Sequence, residues 1–289
     1  MTKLKVSTLL LACFCLVLGF VLTSAPTSAV TRVFTTIDFP GATETDCNDV
    51  NVNGTIVGFY VDSSLVDHGF FRRNGTFTSI DFPGATATLA YGINDSSQVV
   101  GWYTDSSGIT HGYMLSNSTF TTIDPPGSTF TNAWSINNAG EIVGTYIGTD
   151  GVFHGFIDNN GTFSTVDVPG SILTENTGLN NLGQIVGIFD DSSAVEHGFL
   201  LVNHKFTPIV FPGSALTASD RINDSGEVVG LYGSSSAGPF TGYAKFGGTY
   251  DSLSVPGSTE TRSRGVNNKG EIVGRYTDSA GVIHGYSTR

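Results

Sequence analysis

Short runs of β-branched and aromatic residues alternate with polar turn residues along nearly the whole chain. In one stretch the apolar runs are Thr86 to Asn94, Gln98 to Tyr103, Thr110 to Leu115 and Thr119 to Asp124. The segments between them consist of Asn, Asp, Ser, Gly and Pro, which favour turns. After the first thirty residues no window shows the 3.6-residue apolar period of a helix. The pattern predicts four short antiparallel strands per unit.

Two motifs repeat in phase and show that this unit is used six times. The proline of a Phe-Pro-Gly-like corner and the glycine of an Ile/Val-Val-Gly run each return every 43 residues, with one spacing of 44. Units of about 40 to 50 residues rich in short strands are typical of propellers, in which each copy packs on its neighbours. We therefore predict six blades of a β-propeller. The prolines are Pro40, Pro83, Pro126, Pro169, Pro212 and Pro256, and the glycines are Gly58, Gly101, Gly144, Gly187, Gly230 and Gly274.

The two ends of the repeat array predict that the ring is closed. The last unit stops after its third strand, at His284-Gly285-Tyr286, and an unpaired fourth strand lies near the N-terminus, from Val33 to Asp38. Joining them completes a sixth blade and removes the exposed sheet edges of an open array. We expect a single all-β domain over residues 30–289, a six-bladed propeller with the N-terminal strand outermost in its last blade.

The N-terminal segment has the features of a secretory signal. Lys3 and Lys5 precede an uncharged run from Leu9 to Leu22, and Thr27-Ser28-Ala29 provides a small-residue cleavage site. A lipoprotein signal is the alternative, since Leu10 to Cys13 loosely resembles a lipobox. No second apolar run of spanning length follows. We expect a signal peptide over residues 1–29 and a secreted or extracellular protein, with the bacterial cell surface as the second location.

Charge and cysteine content narrow the choice of partner. Without that segment Cys47 is the one remaining cysteine, so no internal disulfide can form, and the formal charge of −12 becomes −14 after loss of two lysines. This acidity argues against nucleic acid and anionic membrane surfaces. Charged residues make up only 13% of the chain, so it is no polyelectrolyte. We expect a monomer whose partner is an extracellular glycan or peptide.

The repeat unit resembles a known family. The run from Asn137 to Gly144 (NNAGEIVG), followed by His154-Gly155-Phe156, is similar to the repeats of the bacterial extracellular HAF family. The resemblance covers about residues 33–289 and implies a secreted β-propeller, with no activity attached. The fifth unit departs from the pattern, because Thr241 replaces the His of His-Gly and one extra residue enters near Ser234.

The most conspicuous polar residues repeat with the framework, which favours structural roles. One histidine per blade is too far from the next to form a zinc site, and we expect half-buried imidazoles bonded to turns. The aspartate before each corner is expected to cap its own turn. The Asp-Ser loops come nearest to calcium sites but supply only one or two carboxylates each, so we expect no cofactor. The histidines are His68, His111, His154, His197 and His284, the corner aspartates are Asp38, Asp81, Asp124 and Asp167, and the loops begin at Asp62, Asp105, Asp190 and Asp278.

Function is expected where the repeat varies. Each unit has a framework asparagine, and the residues three and five positions before it scatter from blade to blade. Strand alternation places these two positions on one face, near the channel mouth of the closed ring. Aromatic platforms with polar anchors suit a sugar, glycan or peptide better than a bare ion; neutral drift at exposed channel positions is the alternative. The predicted ligand-binding residues are Tyr91, Trp134, Asp220, Arg264, Asp46, Glu175, Arg262 and Asn48.

The sequence favours a binder over an enzyme. It contains no Gly-x-Ser-x-Gly elbow, phosphate loop or His-Glu-x-x-His motif. Glu175 and Asp220, from adjacent inner strands, are the best candidates for the carboxylate pair of glycoside chemistry, which needs a separation of roughly 5 to 9 Å. We predict a binding or scaffold protein that engages a glycan or peptide at the channel mouth and has no catalytic residues. The alternatives are a propeller glycoside hydrolase or lyase, and an interaction module that binds at the blade rims.

Overall fold

The computed structural model describes residues 32–288, which form 24 β-strands. These residues include no helix long and apolar enough to cross a membrane. The predicted signal peptide lies outside the described residues.

The strands form six antiparallel sheets of four, which are the predicted blades. Blade 1 is β2 (Glu44–Val50), β3 (Ile56–Val61), β4 (Asp67–Arg73) and β5 (Thr76–Ile80); blade 2 is β6 (Ala87–Ile93), β7 (Val99–Thr104), β8 (Thr110–Ser116) and β9 (Thr119–Ile123). Blade 3 is β10 (Phe130–Ile136), β11 (Ile142–Ile147), β12 (Phe153–Asn159) and β13 (Thr162–Thr165); blade 4 is β14 (Leu173–Leu179), β15 (Ile185–Asp190), β16 (Glu196–Val202) and β17 (Lys205–Ile209). Blade 5 is β18 (Leu216–Ile222), β19 (Val228–Gly233), β20 (Phe240–Phe246) and β21 (Thr249–Leu253); blade 6 is β22 (Glu260–Val266), β23 (Ile272–Thr277), β24 (Ile283–Thr288) and β1 (Phe34–Ile37).

The ring closes as the sequence predicts. The first strand of each repeat is innermost, and the six inner strands contact their neighbours all the way around. In blade 6 the N-terminal strand β1 lies outermost, with Phe34 opposite Thr288 and Ile37 opposite Gly285. The six-bladed propeller closed by its N-terminal strand is confirmed, and strand ends differ from the sequence prediction by one or two residues.

A closed circle of hydrogen bonds explains why one asparagine recurs after every inner strand. The Oδ1 of Asn137 accepts the backbone N–H groups of Ala139 and Glu141, both at 3.0 Å, and so braces its turn. Its Nδ2 donates to the backbone carbonyl of the corresponding asparagine in the next blade. Six such bonds of 3.0 to 3.5 Å run through Asn51, Asn94, Asn137, Asn180, Asn223 and Asn267 and back to Asn51. Both functions of the amide are used, which a carboxylate, having no donor, cannot reproduce.

A threonine recurs six positions before each framework asparagine and secures the corner that precedes its blade. In blade 2 the N–H of Phe82 donates to Oγ1 of Thr88 at 3.0 Å, and four other blades repeat this bond. The corner before blade 3 has Pro125, which lacks an N–H, and Thr131 there bonds to Ser128 instead. These threonines therefore hold each blade to the chain that enters it.

Candidate ligand site in the central channel

A β-bulge interrupts every inner strand at the variable position three residues before the framework asparagine. In blade 3 Ala133 pairs with Gly144 and Ser135 with Val143, which leaves Trp134 unpaired. Only glycine fits opposite the bulge, because a Cβ on Gly144 would lie 2.1 Å from the carbonyl oxygen of Asn132. A bulge re-aims its side chain, which simple alternation does not include. The six bulge residues are Asn48, Tyr91, Trp134, Thr177, Asp220 and Arg264.

The two predicted aromatic residues meet inside the ring. Tyr91 and Trp134 pack edge to face, with ring centroids 4.5 Å apart and an interplanar angle of 82°. The indole Nε1 of Trp134 donates to Oγ1 of Thr145 at 3.0 Å. Burial raises the pKa of Tyr91 to about 12, so its hydroxyl stays protonated at neutral pH. One side of the channel is therefore aromatic.

Charged residues of blades 1, 5 and 6 line other parts of the channel. Arg264 lies 3.2 Å from Asp220, and Arg275 lies 3.4 Å from both Asp46 and Glu44. Burial raises the pKa of Asp220, and the nearby arginines oppose that shift. Burial alone would lower the pKa of Arg264, but Asp220 and Asp46 outweigh it and raise that pKa. The charge of each member of the Arg264–Asp220 pair thus favours the ionised form of the other.

Two further predicted residues bind protein groups nearby. Asn48 donates from Nδ2 to the carbonyl oxygen of Ala90 in the next blade, at 2.9 Å. Arg262 lies 2.6 Å from Glu260 and 4.7 Å above the ring of Phe240. Neither residue is left free to act as an isolated charge or donor.

Glu175 lies in a group of carboxylates on blade 4. It is opposite Ile188 in the sheet, and Asp190, two residues further on, is opposite Glu196. All three acids therefore share one face of the blade. Burial raises the pKa of Glu175 to about 7, with a further rise from Glu196, Asp190 and Asp220, and burial and Asp190 raise that of Glu196 to about 7.

Arg221 is a central residue of the channel that the variable-position argument missed. It is 5% exposed, donates to the carbonyl oxygens of Tyr91, Trp134 and Thr177, and lies 3.4 Å from Asp49. A signal for it exists in the sequence, because glycine alternates with larger side chains two positions before each framework asparagine. Those positions are Asp49, Gly92, Ser135, Gly178, Arg221 and Gly265.

Buried polar atoms without a hydrogen-bond partner are concentrated in this channel. Within residues 32–288 there are ten such side-chain atoms, and nine belong to the inner two strands around the axis. Native proteins leave few buried polar groups unpaired, so these donors and acceptors mark a place that suits a polar partner. The acceptors are Oδ1 of Asp46, Asn48, Asn132 and Asn176 and Oδ2 of Asp220, and the donors are Nε1 of Trp102 and Nε of Arg221, Arg264 and Arg275.

The other end of the axis is formed by the turns between the first two strands of each blade. The turns of all six blades, with their framework asparagines, line a pocket of about 60 Å³ there, and Arg221 and Asp49 also line it. A space of that size holds only a few water molecules.

The repeated histidines form clusters outside the channel. His154 lies between two aspartates, with Nδ1 2.7 Å from Asp167 and Nε2 3.0 Å from Asp150. The prediction that each corner aspartate caps its own turn is wrong. Asp167 and its counterparts bond to histidines instead, and threonines hold the corners. The loop aspartates do brace turns, as Oδ1 of Asp105 accepts the N–H groups two and four residues later. Within residues 32–288 no three His, Cys, Asp or Glu side chains are arranged to hold a metal ion.

Comparison with known proteins supports the fold. No protein-family model and no curated protein matches the chain. TolB from Acinetobacter baumannii is similar with a TM-score of 0.60 and 12% identity, over 81% of this chain and 63% of that one. The β-propeller domain of the Trilobed protease from Pyrococcus furiosus is similar with a TM-score of 0.54 and 10% identity, over 87% of this chain and 94% of that one. A lectin from Aleuria aurantia, solved in complex with Fucα1-6GlcNAc, is similar with a TM-score of 0.54 and 10% identity, over 85% of this chain and 91% of that one.

Proposed function

We propose that this protein is an extracellular glycan-binding propeller whose site is the channel end at which the inner strands begin. The observation that carries the proposal is the cluster of unpaired buried donors and acceptors beside the aromatic pair Tyr91 and Trp134. A sugar hydroxyl both donates and accepts, which matches a mixed set of partners. The apolar faces of sugar rings pack on aromatic side chains.

Two other observations support this proposal. The similar Aleuria aurantia lectin is a propeller-like chain solved with a fucosylated disaccharide, although identity of 10% gives no residue-level correspondence. The predicted signal peptide supports an extracellular location, and membership in the HAF family remains a prediction from the repeat motif. A peptide ligand is the alternative occupant of the same site.

Trp102→Phe provides the first test. The substitution replaces the indole by a smaller aromatic ring and removes its buried Nε1–H, which has no acceptor of good hydrogen-bond geometry although the Tyr91 hydroxyl is nearby. If a glycan accepts that hydrogen bond, affinity for glycans selected on an array of immobilised oligosaccharides should fall about tenfold, equivalent to about 1.4 kcal/mol. The melting temperature should change little, because the smaller ring leaves a cavity while an unsatisfied donor is removed. Phe246→Leu, at a side chain 61% exposed on the rim, is the matched control.

A second variant distinguishes binding in the channel from binding at the blade rims. Trp134→Ala removes half of the aromatic pair, so channel binding should be lost while rim binding survives. Unchanged glycan affinity in both Trp102→Phe and Trp134→Ala would refute the channel site. Binding to peptides but to no glycan would refute the ligand class.

Glycoside hydrolysis or lyase chemistry is the second candidate. The observation in its favour is Glu175, whose pKa of about 7 keeps a fraction of it protonated near neutral pH, close to Asp220. A protonated and an ionised carboxyl flanking one bond is the arrangement of glycosidases. Release of new reducing ends from a bound glycan, abolished in Glu175→Gln, would establish an enzyme; tight binding with no release leaves a binder.

A further inference from the structure

Charge compensation is uneven around the channel. Each arginine near the site from blade 6 already has a carboxylate within 3.4 Å, and these pairs are Arg262 with Glu260, Arg264 with Asp220, and Arg275 with both Glu44 and Asp46. The arginines are therefore neutralised by the protein itself. An anionic ligand would have to compete with those carboxylates.

The carboxylates of blade 4 have no such partner. Among residues 32–288 Glu175, Asp190 and Glu196 take part in no ion pair within 4.0 Å, although they share one face of the sheet. Arg262 acts on Glu196 only from a distance and is bonded to Glu260. Like charges crowded together favour retention of a proton, and the pKa of both glutamates is accordingly raised to about 7 by burial and by neighbouring acids.

In blade 1 the protein itself supplies a cation for the carboxylate at the corresponding position. Asp46 occupies in blade 1 the position of Glu175 in blade 4, and Arg275 lies 3.4 Å from it. In the part of the chain that the structure describes, no arginine lies within 4.0 Å of the Glu175 carboxylate. Independently, Oδ1 of Asp46, whose side chain is only 2% exposed, and Oδ2 of Asp220 are buried acceptors without a donor. The channel therefore has more carboxylates than arginines to pair with them.

We propose that the ligand carries a primary ammonium group that binds against Glu175 and Glu196, as the amino-sugar unit of a glycan does. This inference rests on the proposed function and specifies its ligand. An ammonium supplies three donors to carboxylate oxygens and replaces the proton that the crowded glutamates otherwise retain near neutral pH. The net negative charge of the protein attracts cationic ligands over longer range. A metal ion fits less well, because no metal-holding group of acids is present in residues 32–288.

Calorimetry with two matched oligosaccharides tests the inference. The mature chain, residues 30–289, is titrated at pH 6.5 with a glucosamine hexamer and with the corresponding N-acetylglucosamine hexamer, which lacks the charge. We expect the glucosamine hexamer to bind at least tenfold more tightly. Proton release should accompany its binding at pH 6, where the ammonium is charged and both glutamates are largely protonated, measured in two buffers of different ionisation enthalpy.

Substitutions locate the binding. Glu175→Gln and Glu196→Gln should each weaken glucosamine hexamer binding about tenfold, without lowering the melting temperature at pH 6.5. Asp251→Asn removes the same charge from an exposed position on the outermost strand of blade 5 and should leave the affinity unchanged. Equal losses in all three variants would show that only overall charge matters and would overturn the inference.

The remaining outcomes separate this inference from the proposed function. Equal affinity for the two hexamers, with binding still weakened by Trp102→Phe, would overturn the ammonium inference and leave a glycan site. Binding of a lysine-rich peptide with no binding of the glucosamine hexamer would overturn the assignment of the ammonium to an amino sugar. Absence of binding to any glycan would overturn both.

Discussion

At the residue scale, Arg221 connects blade 5 to four other blades through one guanidinium. It donates to carbonyl oxygens of Tyr91, Trp134 and Thr177 and lies beside Asp49, a buried carboxyl whose pKa is raised by burial and held down in part by this arginine. Such a group is costly to remove, because its partners remain buried without compensation.

Arg221→Met should therefore destabilise the protein by about 3 to 5 kcal/mol, measured by urea unfolding. The double variant Arg221→Met/Asp49→Asn should regain part of that loss, because the orphaned charge is gone. A single variant that loses less than about 1 kcal/mol would show that Arg221 is not required to hold the inner strands together.

At the element scale, β1 is the strand on which ring closure depends. It pairs with β24, and Asp38 just beyond it lies 2.9 Å from His284. Arg32, just before it, bonds to Glu227 and to the carbonyl oxygen of Gly270. The strand is short, but these anchors join both ends of the sequence across blades 5 and 6.

Deletion of residues 30–41 should expose the edge of β24, lower the melting temperature by about 5 to 10 °C and produce oligomers through edge pairing. Light scattering after size-exclusion chromatography measures the oligomers. A synthetic peptide of residues 30–41 should restore the monomer, whereas a scrambled peptide should not. A truncated chain that stays monomeric and equally stable would contradict this role.

At the scale of the whole molecule, repeated titratable groups predict how stability varies with pH. Backbone N–H bonds lower the pKa of loop aspartates such as Asp62 and Asp105, so their contribution is present above about pH 4 and is lost as pH falls through the folded pKa. Although burial opposes it, hydrogen bonds to Asp167 and Asp150 raise the pKa of His154. Its contribution is therefore present below about pH 6.5 and is lost as pH rises.

The raised pKa values of Glu175 and Glu196 act in the same direction as that of His154, because burying their charges costs stability as pH rises from about 4.5 to about 7. We expect the melting temperature to be highest between about pH 4 and 5 and to fall towards pH 8, as measured by differential scanning calorimetry. The double variant Glu175→Gln/Glu196→Gln should flatten that fall. A melting temperature that rises from pH 5 to 8 would refute the argument.

Much of the architecture was predictable because it results from one local rule applied six times. Strand length, turn residues and the corner prolines act within a few residues of one another, and the repeat spacing shows how often they recur. The split last unit then determined ring closure, since an exposed edge is unfavourable. The roles of Asp167 and its counterparts were not predictable in this way, because their histidine partners lie on the neighbouring strand.

The sequence by itself determined a closed six-bladed propeller and pointed to variable inner-strand positions as the candidate site. Only the tertiary structure decided which of those residues meet: Tyr91 with Trp134, Arg264 with Asp220, and Glu175 with two acids of its own blade and no cation. Hydrophobic period and turn chemistry depend on near neighbours in the chain. The direction of a bulged side chain and the compensation of a buried charge depend instead on groups brought together by ring closure, such as Arg221 and Tyr91, 130 residues apart.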